Sequence, residues 1–281
     1  MTLDIRPLGA TFAAELRGID VTRLDEAAFA RVRDAWFEHG ILVLRDQRLG
    51  EEDLVAFSRR FGELETHVRR EYLSPDHPEI LYVSNIVENG RRVGILSDHE
   101  VGWHYDQIYL PRPAVGSCLY ATRLPSSGGE TSFADMAAAY EALPRETRER
   151  IDGAEANQSY AYFNAGNSVP TNEEQTARTP DVAHPLVRTH PVTGRKALYV
   201  CPGMTTHIVG MAADESAALL EELYAWSTRE AFVYRHEWRH GDAVLWDNAC
   251  TMHRREPFDS RSQRLMKRTT ILPPPALAVP R

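Results

Sequence analysis

Two short segments carry the residues best suited to chemistry. Trp103-His104-Tyr105-Asp106 offers an imidazole and a carboxylate two residues apart, and Trp246-Asp247-Asn248-Ala249-Cys250-Thr251-Met252-His253 offers a second imidazole far downstream. Two histidines and one carboxylate on a single metal leave three coordination positions open, the layout of a non-haem Fe(II) centre that activates oxygen. On a β-strand, side chains at i and i+2 leave the same face, so one strand would present both His104 and Asp106. His253 follows the apolar run Ala243-Val244-Leu245-Trp246, which reads as a buried strand lying beside the first in a barrel. With eleven histidines in the chain, a His-x-Asp pair by itself is a weak signal.

Basic residues after His253 strengthen it. Arg264 and Arg268 flank Leu265-Met266-Lys267 and lead into Thr269-Thr270-Ile271-Leu272. A guanidinium directed into a barrel interior needs an anion, because burying it unpaired is very costly. A carboxylate ligand held by two parallel hydrogen bonds would satisfy it.

The elements that must position these residues follow from periodicity. Residues 25–39 place Phe29, Val32 and Trp36 on one face with Gly40 just beyond, a helix with a C-cap glycine. Residues 51–61 form a second amphipathic helix through Leu54, Phe57 and Phe61, and 136–141 a third. A fourth spans 212–229, whose stripe of Leu219, Leu220, Leu223 and Trp226 is core packing rather than a cofactor box. Strand signals fall at 41–44, 80–83, 104–110, 117–122, 196–200, 232–239, 242–246 and 267–272. Residues 155–183 are polar and weakly periodic, which predicts a long loop acting as a lid over substrate. Glu88-Asn89-Gly90-Arg91-Arg92 reads as a turn with solvent-facing arginines.

Over nearly its whole length the chain resembles the TauD/TfdA family of Fe(II)- and 2-oxoglutarate-dependent dioxygenases. The resemblance runs through Ile41-Leu42-Val43-Leu44-Arg45, Phe61-Gly62-Glu63-Leu64, the Trp-His-x-Asp segment, residues 124–131 ("LPSSGGET"), residues 184–190 ("HPLVRTH") and residues 246–253. Residues 232–242 ("FVYRHEWRHGD") are similar to the TfdA branch, which oxidises aryloxyalkanoic acids. The resemblance implies a mainly β fold with flanking helices, a double-stranded β-helix (jelly-roll, cupin-like) barrel, in one domain over residues 1–281. It makes His104, Asp106 and His253 the iron ligands and assigns Thr131 and Arg264 to the distal carboxylate of 2-oxoglutarate, with the offsets expected of the family. Arg268 matches an arginine that meets the anionic end of substrate, and His67 a substrate-side histidine; beyond the iron centre no catalytic side chain is implied.

Two substrate-side positions depart from the family's taurine-oxidising members: Glu100 stands in place of an asparagine and Arg70 in place of a tyrosine. A glutamate and an arginine near one pocket suit a zwitterion or a polar acid. The implied reaction couples decarboxylation of 2-oxoglutarate by O2, giving succinate and CO2, to hydroxylation of a substrate C–H bond. Aspartate at 106 points to hydroxylation, since related halogenases lack this carboxylate and bind chloride there. The substrate expected is a small anionic or zwitterionic organic acid, aryloxyalkanoate-like, with an alkylsulfonate, a sulfate ester or an amino-acid-derived compound as the nearest variants. Outside this class stand a non-oxidative cupin-type metal enzyme and a metabolite-binding barrel; the first has no use for Thr131 and Arg264, and sensing does not require an open triad.

Composition agrees with these expectations. At 281 residues the chain can bury a sizeable core, and no Pro/Gly/Ser-rich linker divides it. Forty acidic against thirty-two basic residues give a net charge of −8, which argues against a nucleic-acid partner. Cys118, Cys201 and Cys250 are too sparse for a disulfide framework, and Cys250 reads as a packed small residue. His184, His190, Trp103 and Trp246 read as structural. Without a signal core or an apolar run of about 18 residues, a soluble cytoplasmic protein is expected. The apolar C-terminal segment and the family's habit point to a homo-oligomer.

Overall fold

Alternation along two strands decides where the core lies. The structure, a computed structural model, describes residues 3–9, 11–95, 101–165 and 172–273. β1 (Asp4–Pro7) and β2 (Ala14–Arg17) are followed by α1 (Glu26–His39), β3 (Ile41–Leu44) and α2 (Glu51–Arg59). Then come β4 (Ile80–Ser84), the hairpin β5 (Val87–Glu88) and β6 (Arg91–Arg92), β7 (Val101–His104), β8 (Gly116–Arg123) and β9 (Thr131–Asp135). α3 (Met136–Glu141), α4 (Arg145–Ile151), β10 (Glu155–Gln158), α5 (Tyr160–Asn164) and α6 (Glu173–Ala177) lead to β11 (Val182–Pro185), β12 (Val187–Thr189), β13 (Lys196–Leu198) and β14 (Thr205–Ile208). α7 (Ala213–Ser227), β15 (Val233–His236), β16 (Ala243–Asp247), β17 (Thr251–Arg255) and β18 (Leu265–Ile271) follow.

Strands β1-β2-β3-β16-β8-β18-β4 form a seven-stranded sheet, and β15-β9-β17-β7 a four-stranded one. Ile41 and Val43 of β3, with Val244 and Trp246 of β16, pack inward against Phe133 of the smaller sheet. Leu42 and Leu44, with Ala243 and Leu245, face the other way, onto Val32 and Trp36 of α1 and Leu54 and Phe57 of α2. Both faces are covered, which is why these strands read as unbroken apolar runs. Asp25 caps α1 by accepting from the Ala28 amide at 2.7 Å, and Gly40 ends it at φ 67°. A third cluster, including Tyr105, Leu198, Tyr199 and Leu220, joins α3 and α7 to β13. Among the described residues, no helix is long and apolar enough to cross a membrane.

Three expectations are corrected. The strand predicted over 104–110 lies earlier, as β7, and ends at His104, so Asp106 stands in the turn beyond it. The run Ala243–Trp246 is not beside the first ligand strand: β16 pairs with β3 and β8. The turn at 247–250 instead carries the chain across to the other sheet, where His253 occupies its own strand, β17, paired with β7. Residues 155–183 are not a featureless loop; β10 pairs with β11 and β14, and α5 and α6 follow it. Position 100, residues 166–171 and the C-terminal segment after 273 lie outside the described residues, so the Glu100 expectation has no structural counterpart.

Candidate metal and 2-oxoglutarate centre

His104 and His253 are Cα partners across β7 and β17, and their rings lie 4.2 Å apart. Asp106 reaches the same place by another route. Its backbone N–H donates to Asn248 Oδ1 at 3.3 Å, and Asn248 Nδ2 donates to the Asp106 carbonyl at 2.6 Å and to that of Ala114 at 3.2 Å. The side-chain amide thus replaces the missing ladder partner, while the next residue, Gln107, takes φ 58°, a left-handed conformation that ends the strand. The three side chains offer ligand atoms all within 4.8 Å of one another.

Protonation suits a cation. The Gly102 carbonyl can only accept, so His104 Nδ1, 2.8 Å away, carries the proton and Nε2 keeps a lone pair. Burial, then the neighbouring His104, pulls His253 down to about 3, and burial likewise lowers His104, so both imidazoles are neutral. Burial alone would raise the Asp106 carboxyl, but Arg268 and the two imidazoles outweigh it and hold the group well below the usual range. Ser117 donates to Asp106 Oδ2 at 2.7 Å and Arg268 to Oδ1 at 2.7 Å. Two neutral imidazoles and an ionised carboxylate are a donor set that fits a divalent first-row transition metal.

These groups line a cavity of about 430 Å³ that also holds Thr131 and Arg264. Arg264, just before β18, is 1% exposed, and its Nε is buried without a hydrogen-bond partner. Burial and the neighbouring Arg255 pull its guanidinium down to about 9, a cation in need of an anion. Gly128 and Gly129 explain the "LPSSGGET" run. At φ 76° a Cβ on Gly128 would stand 2.5 Å from the Pro257 carbonyl, and Gly129 passes beside the Arg264 Nε. An orphaned buried guanidinium beside a buried hydroxyl fits the distal carboxylate of 2-oxoglutarate.

Of the substrate-side expectations, His67 and Arg268 line this cavity and Arg70 does not. Arg70 opens a 3-10 turn and is exposed, whereas its neighbour Arg69 is 2% exposed and lines the cavity. Burial, with Arg268 nearby, lowers His67 to about 3, and its Nδ1 accepts from the Arg69 amide at 3.1 Å. Trp246 is both core and site, with its ring 5.0 Å from that of His253. Sequence reasoning passed over Asn248, Ser117, Arg69 and Arg255; only Asn248 had a visible signal, as part of the Trp-Asp-Asn motif. His184 donates to the Leu110 carbonyl at 2.9 Å, a structural role. His190, Asp247 and Cys250 form a second cluster. There His190 Nδ1 accepts two backbone amides and Nε2 donates to Asp247 at 2.7 Å, so no lone pair is left for a metal.

Residues 4–270 match the model of the family described as taurine catabolism dioxygenase TauD, TfdA family. The (S)-phenoxypropionate/alpha-ketoglutarate-dioxygenase of Sphingobium herbicidovorans is 35% identical over 290 residues, covering 97% of this chain and 96% of that protein. The alpha-ketoglutarate-dependent 2,4-dichlorophenoxyacetate dioxygenase of Cupriavidus pinatubonensis is 35% identical over 285 residues, covering 97% and 98%. The crystal structure of AAD-2 in complex with Mn(II) and N-oxalylglycine superposes with a TM-score of 0.81 at 33% identity, covering 98% of each chain. Sequence and structure together place this chain in the TauD/TfdA family of dioxygenases.

Proposed function

We propose that this enzyme uses Fe(II), 2-oxoglutarate and O2 to hydroxylate a small aryloxyalkanoate-like organic acid. The observation that carries the reading is one cavity joining the His104, Asp106 and His253 donors to the orphaned Arg264 guanidinium. His104, Asp106 and His253 would hold the iron, and Thr131 and Arg264 the distal carboxylate of 2-oxoglutarate. When bound, these groups supply the oxidation, in which one atom of O2 enters succinate and the other the substrate.

The protein's part is positioning. Trp246 and Phe133 flank the His253 ring, at 5.0 and 5.9 Å, and hold its orientation. Arg268 spends one bond on Asp106 and retains other N–H donors for an incoming carboxylate. His67, neutral and with Nδ1 already accepting, presents Nε2–H as a second donor. Tyr109, Tyr160 and Phe163 line the same cavity, Tyr109 and Tyr160 with rings 4.3 Å apart, and form an aromatic wall suited to an aryl group. The names of the relatives favour the same acid class. Exposure of Arg70 removes one support for a zwitterionic substrate.

The seven- and four-stranded sheets would be the two walls of a jelly-roll (double-stranded β-helix) barrel in one domain, a reading supported by the Phe133–Trp246 contact between them. α5, which supplies Tyr160 and Phe163 to the cavity, would serve as part of a lid over substrate. A cytoplasmic location is supported by three cysteines that stay free.

The test is succinate formation from 2-oxoglutarate with Fe(II), ascorbate and O2 across a panel of aryloxyalkanoates, sulfonates and amino acids. Succinate that depends on an aryloxyalkanoate and vanishes in His104→Ala is expected. Turnover with a sulfonate alone would overturn the substrate, and no turnover with any member would overturn the reading itself.

A further inference from the structure

We propose that the Tyr109 and Tyr160 hydroxyls bind a neutral, hydrogen-bond-accepting oxygen on the substrate, so that the acid taken by this enzyme carries an acyl carbonyl or its equivalent besides its carboxylate; this deepens the substrate reading above and rests on it. Tyr109 lies in the turn after β7, three residues beyond Asp106, where the Leu110 amide donates to the Gln107 carbonyl at 2.9 Å. Tyr160 opens α5. Its N-cap, Ser159, accepts from the Tyr162 amide at 3.2 Å through the side chain and donates its own amide to the Met204 carbonyl at 2.9 Å. Two separate elements thus hold the rings 4.3 Å apart and inclined by 30°. Tyr109 is 3% and Tyr160 5% exposed, and both line the cavity that holds the metal donors.

A buried phenol usually finds a partner within the protein. Tyr105, in the same cavity, does so: its hydroxyl donates to the Leu198 carbonyl at 2.6 Å. Among the described residues no hydrogen bond engages the hydroxyl of Tyr109 or of Tyr160, and neither oxygen is sealed off by packing. Burial, with Tyr160 alongside, pushes the Tyr109 phenol well above its usual value, so it stays protonated and able to donate. The neighbouring carboxylates are already engaged, Asp106 by Arg268 and Ser117 and Glu65 by Gln107. A substrate carboxylate has Arg268 and His67 to meet it, which leaves the phenols for a second oxygen. A halogen or alkyl group set against them would displace their water and return no hydrogen bond. A carbonyl oxygen has two lone pairs and can accept from both hydroxyls. A site built in this way rejects the analogue that lacks the oxygen.

The ligand pair that isolates this contact is acetylphenoxyacetate and isopropenylphenoxyacetate, with the substituent placed ortho, meta or para. The two share a planar shape and differ in a carbonyl oxygen against a CH2 group. Binding is measured by calorimetry on the full-length protein loaded with Mn(II) and 2-oxoglutarate, so no turnover is needed. For at least one placement wild type should bind the acetyl acid about 10- to 100-fold more tightly than its partner. Tyr109→Phe and Tyr160→Phe should each reduce that preference about 3- to 10-fold, and together abolish it, without weakening the isopropenyl acid. Without ligand, neither variant should melt lower than wild type, since each loses a hydroxyl that the fold does not use. A variant that does melt lower has its hydroxyl bonded within the protein, and its role falls. No preference in wild type at any placement, or a preference that survives both substitutions, would overturn the proposal. Equal losses for both acids would put the hydroxyls on the carboxylate and overturn it as well. Failure of every member, phenoxyacetate included, to bind wild type would instead remove the aryloxyalkanoate reading on which it rests.

Discussion

A hydroxyl can donate only one hydrogen bond, and at Thr131 the structure decides where it goes. Trp238 Nε1 donates to Thr131 Oγ1 at 2.9 Å, so the indole occupies an acceptor position and leaves the hydroxyl proton for another partner. With Arg264 nearby, that partner is anionic. Thr131→Val keeps the shape and removes the proton; it should raise the KM for 2-oxoglutarate about tenfold with little change in kcat, a net effect of about 1.4 kcal/mol, between the ordinary value for a neutral hydrogen bond and that for one to a charged group. Trp238→Phe should do the same more weakly, by freeing the hydroxyl to turn. Steady-state kinetics in 2-oxoglutarate decide it, and an unchanged KM in Thr131→Val would remove the residue from the grip on 2-oxoglutarate. At this scale His104, Asp106, His253, Thr131 and Arg264, which the sequence offered together through its resemblance to the family, line one cavity, although Asp106 and Arg264 stand outside the ladders. Arg70 does not: in a short 3-10 turn the side chains of residues 69 and 70 diverge, and nothing in the local pattern says which one turns inward.

Between elements, the geometry of the centre depends on a strand that stops early. β7 ends at His104, and Asp106 is fixed by the Asn248 amide, which makes three hydrogen bonds to the Asp106 and Ala114 backbone. Asn248 lies in the turn between β16 and β17, so one turn both delivers His253 to its strand and clamps the third ligand. Asn248→Ala strands buried backbone groups and frees the turn. It should destabilise the metal-free protein by about 1–3 kcal/mol and weaken Mn(II) or Fe(II) affinity about 10- to 100-fold. Chemical denaturation and a metal titration measure the two; metal affinity equal to wild type would refute the clamp. Amphipathic α1 and α7 and the two-faced runs of β3 and β16 were readable because each shows its burial within a few residues. Residues 155–183 concealed β10, since its partners β11 and β14 come from later in the chain and its buried positions, Ala156 and Gln158, include a polar side chain. For the same reason the ligand strand was misplaced: the Trp-His-x-Asp run alternates like a strand, and the Asp106 backbone takes its partner from Asn248, 142 positions away, rather than from a ladder.

Across the whole molecule, the histidines make folding a proton-linked process. Burial lowers His67 and His253 to about 3 and also lowers His104, His184 and His236 from their ordinary 6.5. Below pH 6.5 the unfolded chain therefore takes up protons that the folded chain refuses, and stability falls with pH. The contribution of His67 and His253 is complete above 6.5 and is lost progressively down to about 3. Glu65 and Asp135 act in the opposite sense: burial raises both carboxyls above their ordinary values, so they favour the fold at low pH and offset at most two of these protons near their own range. Each unmatched proton changes stability by about 1.4 kcal/mol per pH unit. The metal-free protein, held in chelator, should therefore lose at least that much per unit between pH 6.5 and 5, read from denaturant midpoints at constant m. His67→Gln should lower the slope by about one proton. Saturating Mn(II) should raise stability most at pH 7.5 and least at pH 5, because protonation of His104 and His253 competes with the ion for the same nitrogens. A metal-free stability independent of pH across this range would mean that the buried imidazoles titrate as they do in the unfolded chain, and would leave the neutral donor set without support.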